Sequence, residues 1–382
     1  MCWRIESLKK TTSLLLITIL LSSVPLIPAV SQTVSATGST FQFAAAGDHS
    51  QDVNTNSSLQ LLKSSGANFY LALGDLSYQS VGEEATWCNI VKSYVVRNFP
   101  FELVSGFHDD GRESSPKDGG LIDNFVGCLP DKLGSTGIYG KEYYFDYPSS
   151  SPLARIIMVS PDLNFTNGGY YSYTTGSSHY EWLSSTIDGA RASGITWVIV
   201  GMHKPCISAG IYSTCVVGGD LMNLLIEKKV DLVLQAHDHN YQRSKQLTCA
   251  IAENFSSGCV SNDGSSGTYT KDRGTIFVVA GTFGQEFYPI NYTSPNAPYF
   301  ASLAGNNTDG MGHGFVTFTV SADELRAQTD FSGTFSDSFS LVKPGVGQPV
   351  LLFIQGNFLF FLLLVAPVLA GTTLLFRKHW KR

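Results

Sequence analysis

Short apolar runs that each end in an acid or an imidazole set the tightest limit on how this chain can fold. Phe41–Ala46 leads into Gly47-Asp48-His49, and Phe69–Leu73 into Gly74-Asp75-Leu76-Ser77-Tyr78. Phe101–Val104 leads into Ser105-Gly106-Phe107-His108-Asp109-Asp110, and Trp197–Val200 into Gly201-Met202-His203-Lys204. Val230–Leu234 leads into Gln235-Ala236-His237-Asp238-His239. Apolar runs of this length, bounded by glycine and polar residues, read as buried strands of parallel type. One such ending would be an ordinary polar turn. Five are explained most economically by a shared crevice at the strand ends, where open α/β sheets place their ligands. Carboxylates and imidazoles together suit borderline or hard first-row metals better than calcium, which takes oxygen alone. Asp48, Asp75, His108, His203, His237 and His239 are therefore candidates for metal or catalytic chemistry.

Helical patterns separate several of these runs. Leu59–Ser65 is closed by Gly66, Ser178–Ala192 by Gly194, and Leu221–Lys228 precedes the Val230 strand. Further strands are expected at Arg155–Val159, Thr275–Ala280 and Phe315–Val320. Residues 111–120 and 256–268, rich in glycine, serine and asparagine or proline, read as loops. Alternating strands and helices followed by a strand-rich end predict an α/β domain with mixed sheets over residues 32–330. Phe331–Gly347, rich in serine and glycine, reads as a stalk reaching to about residue 349.

The ends of the chain address the compartment. Ser13–Val30 is apolar behind Lys9 and Lys10, with small residues at Ala29 and Ser31, as in a secretory signal over residues 1–31, an uncleaved anchor being the alternative. Val350–Phe376 is almost wholly apolar and is followed by Arg377, Lys378, Lys381 and Arg382. A run long enough to span a bilayer with a basic cap predicts a C-terminal transmembrane helix over 350–376 and a cytoplasmic tail over 377–382. The expected location is a single-pass cell-membrane protein with its folded domain extracellular. Beyond Cys2 there are six cysteines, Cys88, Cys128, Cys206, Cys215, Cys249 and Cys259. Fifteen pairings are possible. Proximity favours Cys206–Cys215 and Cys249–Cys259, leaving Cys88 with Cys128. Acceptor sequons at Asn56, Asn164, Asn254, Asn291 and Asn306 fit an exported glycoprotein. The net charge is −6, and the basic residues of the two terminal segments lie outside the folded domain, which is more acidic still. Nucleic acid, which requires the opposite balance, is excluded as a partner.

Taken in order, Gly47-Asp48, Gly74-Asp75-x-x-Tyr78, Gly106-x-His108-Asp109, Val200-x-x-His203 and His237-x-His239 resemble the five blocks of the purple acid phosphatases. These are the tartrate-resistant-type branch of the calcineurin-like metallophosphoesterases. The resemblance covers about Phe41 to Val320 and implies two mixed β-sheets flanked by helices. It further implies that Asp48, Tyr78 and His239 hold ferric iron, with Asp75 bridging to a divalent ion (iron, zinc or manganese) held by His203 and His237. His108 would protonate the leaving group, oriented by Asp109. Two such cations acidify a bound water and clamp the phosphoryl oxygens of a phosphate monoester during in-line attack.

The chain departs from this pattern at Phe107, where the family has a ligating asparagine. Asp110 and Asn124 are candidates to replace it. Two rival expectations follow. One is a phosphodiesterase or nucleotidase of the same superfamily; the other is a weakened, cell-surface binding protein. His49 and His313 are read as loop or rim residues, His179 as a surface residue, and Lys204 and Arg243 as outward-facing charges.

Overall fold

The computed structural model describes residues 40–111 and 120–345. The expected signal (1–31), the transmembrane segment (350–376), the basic tail and most of the 111–120 loop lie outside the described residues. Among the described residues no helix is long and apolar enough to cross a membrane.

Nineteen strands are present among these residues. Taken along the chain they are β1 (Phe41–Ala46), β2 (Phe69–Ala72), β3 (Phe101–Leu103), β4 (Thr136–Ile138), β5 (Glu142–Tyr147), β6 (Ala154–Met158), β7 (Asn164–Phe165), β8 (Gly169–Tyr170), β9 (Trp197–Gly201) and β10 (Leu232–Gln235). They continue with β11 (Tyr241–Ser244), β12 (Gln246–Leu247), β13 (Val260–Asn262), β14 (Thr268–Thr270), β15 (Ile276–Ala280), β16 (Phe300–Ala304), β17 (Gly314–Val320), β18 (Glu324–Phe331) and β19 (Ser338–Val342). One mixed sheet runs β14-β19-β18-β17-β1-β2-β3 and a second runs β16-β11-β15-β10-β9-β6-β5-β4. In each, a buried parallel centre carries the apolar runs, β1-β2-β3 in one and β6-β9-β10-β15 in the other. Antiparallel strands are added at the flanks.

The sheets pack through aromatic side chains. Phe43 stacks on Phe69 and Phe318, with ring centroids 5.2 and 4.7 Å apart. Phe69 meets Phe145 and Tyr147 of the other sheet edge-on at 5.5 and 4.9 Å. Such rings bury the largest apolar areas of any side chains and favour offset or edge-to-face contacts. Helices at Val53–Ser64, Glu84–Tyr94, Ser178–Ala192 and Gly219–Glu227 complete the layers. Asp52 caps the first of them by accepting from the Asn54 and Thr55 amides. The disulfides are Cys88–Cys128, Cys206–Cys215 and Cys249–Cys259, as sequence proximity favours.

The described part of the stretch expected as a stalk, residues 331–345, is part of the fold. Ser338–Val342 alternates, and Phe339 and Leu341 point into the core. The strand pairs antiparallel with β18 and parallel with β14. Asp337 just before it accepts from Arg243 at 2.6 and 3.0 Å and from the Tyr241 hydroxyl at 2.7 Å. Arg243 is thus a buried ion-pair partner rather than an outward-facing charge. Serine and glycine content concealed a period-2 pattern that the sheet decides. Removing one partner of a buried pair leaves an uncompensated charge, so Asp337→Ala should cost about 3–5 kcal/mol of stability. Chemical denaturation of the variant checks this, and an unchanged midpoint would return the segment to a peripheral role.

His179 also differs from expectation. Its ring stacks on Tyr171 with centroids 4.1 Å apart, and its Nδ1 lies 2.9 Å from Glu142. A buried carboxylate that also accepts from Tyr173 fixes it there.

Candidate metal centre

The carboxyl ends of β1, β2, β3, β9 and β10 meet at one place because loop backbone joins them. The Gly47 amide donates to Ala280 O, the Asp48 amide to Gly74 O and the His49 amide to Asp75 O. The Ala236 amide donates to His203 O. The space between the turns is minimal. A Cβ on Gly47 would lie 2.5 Å from the Ala236 methyl, and one on Gly106 would collide with the Asp75 carboxylate.

Asp48, Asp75, Tyr78 and His237 have φ of 58, 51, 55 and 69°. The left-handed region is unfavourable for residues with a Cβ, at about 1–2 kcal/mol each. Four strained residues on three loops, all aimed at one point, mark a functional site, because packing must hold them there.

Two groups of side chains share Asp75. In the first, the Tyr78 hydroxyl lies 2.8 Å from Asp48 Oδ1, 3.1 Å from Asp75 Oδ2 and 3.1 Å from His239 Nε2. His239 Nε2 is 3.4 Å from Asp48 Oδ1. In the second, His203 Nε2 lies 3.2 Å from Asp75 Oδ2 and 3.1 Å from His237 Nδ1. Asp75, His203 and His237 bring one ligand atom each to within 4.8 Å of one another. Apart from His237, which is partly buried, these side chains are nearly or fully buried or, for Tyr78, half-buried.

Backbone carbonyls orient the rings. His203 Nδ1 faces Leu73 O at 2.9 Å and His239 Nδ1 faces Glu286 O at 3.0 Å. A carbonyl only accepts, so Nδ1 carries the proton and Nε2 is presented to the site, the second-sphere arrangement typical of metal-binding histidines. The carboxylates are held in the same way. Asp48 Oδ2 accepts from the His237 amide at 2.9 Å and Asp75 Oδ1 from the His108 amide at 2.8 Å.

The electrostatics describe a site built for added positive charge. Burial, with Asp48 and Asp75 alongside, pushes the Tyr78 phenol well above its ordinary value. Burial opposes protonation of His203, but Asp75 outweighs it and draws the ring up to about 9. Burial, joined by His203, depresses His237 to about 3. Burial would raise Asp75, yet His203 holds its carboxyl below the usual range. Two carboxylates, three imidazoles and a phenol drawn together in this way fit the binding of an added cation.

His108 sits at the edge, its Nε2 4.0 Å from Asp75 Oδ2. The Asp109 carboxylate accepts from the Leu76 and Gly106 amides at 3.0 and 2.9 Å, fixing the short turn that carries His108. Phe107 is 38% exposed, with Lys204 Nζ 5.1 Å from its ring centre. Lys204 is itself buried and bonds Asp162 at 2.6 Å, so it too is no outward-facing charge. Asn124 donates to Glu84 at 3.0 Å, away from the cluster. His49 is fully buried against Phe283 and bonds Tyr70 at 3.0 Å, a structural role. His313 stacks on Phe287 at 4.1 Å.

Residues 41–241 match the model of the calcineurin-like phosphoesterase family. The chain is a calcineurin-like phosphoesterase. Among curated relatives, this phosphoesterase is 27% identical over 331 residues to the uncharacterized protein Rv2577 of Mycobacterium tuberculosis, covering 73% of this chain and 60% of that one. It is 28% identical over 211 residues to purple acid phosphatase 18 of Arabidopsis thaliana (54% and 45% covered). It is 25% identical over 236 residues to the Fe(3+)-Zn(2+) purple acid phosphatase 12 of the same plant (57% and 46% covered). The phosphoesterase therefore spans less than two thirds of the length of these relatives. Among solved structures it resembles the purple acid phosphatase PPD1 of yellow lupin, at 16% identity and a TM-score of 0.57, covering 80% of this chain and 54% of that one. It also resembles GAP50, the anchor in the inner membrane complex of Plasmodium, at 15% identity and a TM-score of 0.50, covering 78% and 88%. At such identities the likeness is one of fold.

Three further residues of the site are not singled out by the strand-end pattern: Asp238, between two candidate ligands, and Tyr212 and Tyr288, whose rings lie 4.0 and 4.1 Å from those of His237 and His239.

Proposed function

We propose that this phosphoesterase hydrolyses phosphate monoesters at a two-cation centre. Asp48, Tyr78 and His239 would hold one ion, His203 and His237 the other, and Asp75 both. The observation that carries the reading is the meeting of these six side chains around the shared Asp75 carboxylate. A phenol beside two carboxylates suits a hard, highly charged ion such as ferric iron, with a softer divalent ion such as zinc on the imidazole side. Cations bound there supply charge neutralisation for the phosphoryl oxygens and a nucleophile at near-neutral pH.

The chain's own residues do the rest. Gly47, Gly74 and Gly106 let the turns close around the centre. The carbonyls of Leu73 and Glu286 keep the rings of His203 and His239 facing inward. His108, placed by Asp109, holds a proton on Nε2 and passes it to the departing oxygen, a step worth roughly 10²–10⁴-fold. Export to an oxidising compartment is supported by the three disulfides. Anchoring through Val350–Phe376 rests on the sequence alone.

Ligation by Tyr78 has an optical test. Ferric loading should give a visible charge-transfer band that disappears in Tyr78→Phe. A colourless protein with full iron occupancy would contradict tyrosine ligation.

A further inference from the structure

Above the ligand side chains the cleft carries a second tier of rings. Tyr212 lies nearly parallel to His237, with centroids 4.0 Å apart at 21°, and Tyr288 lies on His239 at 4.1 Å and 11°. The two tyrosines meet edge to face at 6.1 Å. Tyr212 is 40% exposed and its neighbour Ile211 is 51% exposed. Phe107, 38% exposed, stands edge-on to His108 at 5.6 Å and gives a further apolar ring beside the proton donor.

Tyr212 is held far more firmly than its exposure would require. Its loop is closed by the Cys206–Cys215 disulfide. Asp238, buried between the two ligand histidines, accepts from the Ile211 and Tyr212 amides at 2.9 and 3.3 Å and from the Ser208 hydroxyl. Gly210 passes so close to that carboxylate that a Cβ would collide with it. Asn296 donates to the Ser208 and Ser213 carbonyls at 3.2 and 2.9 Å, and the Asn291 amide to Ala209 O at 2.7 Å. A surface tyrosine ordinarily loses rotamer freedom when something packs on it. Here these bonds fix the loop backbone and the stack on His237 places the ring, so stacking a ligand on it carries a small ordering cost.

We propose that Tyr212, braced by Tyr288, is a specificity-determining platform that favours monoesters whose leaving group carries a flat aromatic ring. This rests on the phosphomonoesterase reading above. With the phosphoryl group at the cations, a planar leaving group can lie against the ring stacked on His237, whereas an aliphatic one covers less of it. Stacking on an aromatic side chain should give a preference of roughly 5- to 150-fold, with about tenfold expected for a single phenyl ring.

Equilibrium binding tests this without turnover. Phenylphosphonate and methylphosphonate, neither of which can be hydrolysed, are titrated calorimetrically into the zinc-loaded full chain. The wild type should bind the phenyl compound about tenfold more tightly. That ratio should fall to near one in Tyr212→Ala and persist in Tyr212→Phe. Equal affinities in the wild type would overturn the platform and leave the phosphatase reading standing. A Tyr212→Ala variant in which both ligands weaken together, with the ratio kept, would reduce Tyr212 to a support for His237 and overturn it as well. A wild type that binds neither phosphonate would remove the phosphatase reading and the platform with it.

Discussion

Asp75→Ala should abolish phosphomonoesterase turnover, by about 10³-fold or more, and empty the cation position on His203 and His237. Asp75 is the only side chain that belongs to both groups among the described residues, facing the Tyr78 hydroxyl at 3.1 Å and His203 at 3.2 Å through the same oxygen. Its loss leaves His203 and His237 as two imidazoles without a carboxylate, and three ligands are the minimum that catalytic zinc sites use. The other oxygen accepts from the His108 amide, so the acid's position is loosened at the same time. Alanine tolerates the left-handed backbone at position 75 less well than aspartate does. Asp75→Asn, which keeps an acceptor and the tolerance, separates lost chemistry from lost folding. Both variants should be inactive, and the asparagine variant should keep wild-type circular dichroism. Activity within tenfold of wild type in a folded Asp75→Asn protein would mean that the bridging role is wrong.

Phe107→Asn should act in the opposite direction. The residue begins the turn Phe107–Asp109, directly before an amide bonded to Asp75. An apolar ring there contributes no donor to the divalent ion, while an asparagine carbonyl could enter its coordination sphere. Adding an oxygen ligand to a three-ligand site should tighten the second ion by about 10–100-fold and raise turnover at limiting metal. The change also removes the ring that Lys204 lies over at 5.1 Å, but the ammonium keeps its bond to Asp162. Metal-dependence curves of turnover read both effects. Unchanged affinity and unchanged turnover would mean that the site is completed by a different group.

The clustering of the candidate ligands was legible because their chemistry is written in residue type and in position after a strand. Asp48, Asp75, His203, His237 and His239 each follow an apolar run, and β1 starts and stops where Phe41–Ala46 predicts. The helix Ser178–Ala192 also falls where its periodicity places it, capped by the Ser177 side chain. What was hidden depends on tertiary partners. Arg243 looked like surface charge because Asp337, its counter-ion, lies more than ninety residues away in a segment of loop-like composition. Phe339 and Leu341 looked incidental until β14 and β18 gave them a sheet to join. Tyr212 carries no local signature, since its position is set by a disulfide, by Asp238 and by Asn296. Helix starts were misplaced for a smaller reason. Val53–Ser64 begins at its Asp52 cap, ahead of the first periodic leucine.

The central claim is that six side chains on four strand ends hold two cations, and counting bound ions tests it most directly. Metal-free protein reconstituted with iron and zinc and then freed of excess should retain two equivalents, and His203→Ala should retain one. A wild type that retains one equivalent or none, or a His203→Ala variant that still retains two, would contradict it.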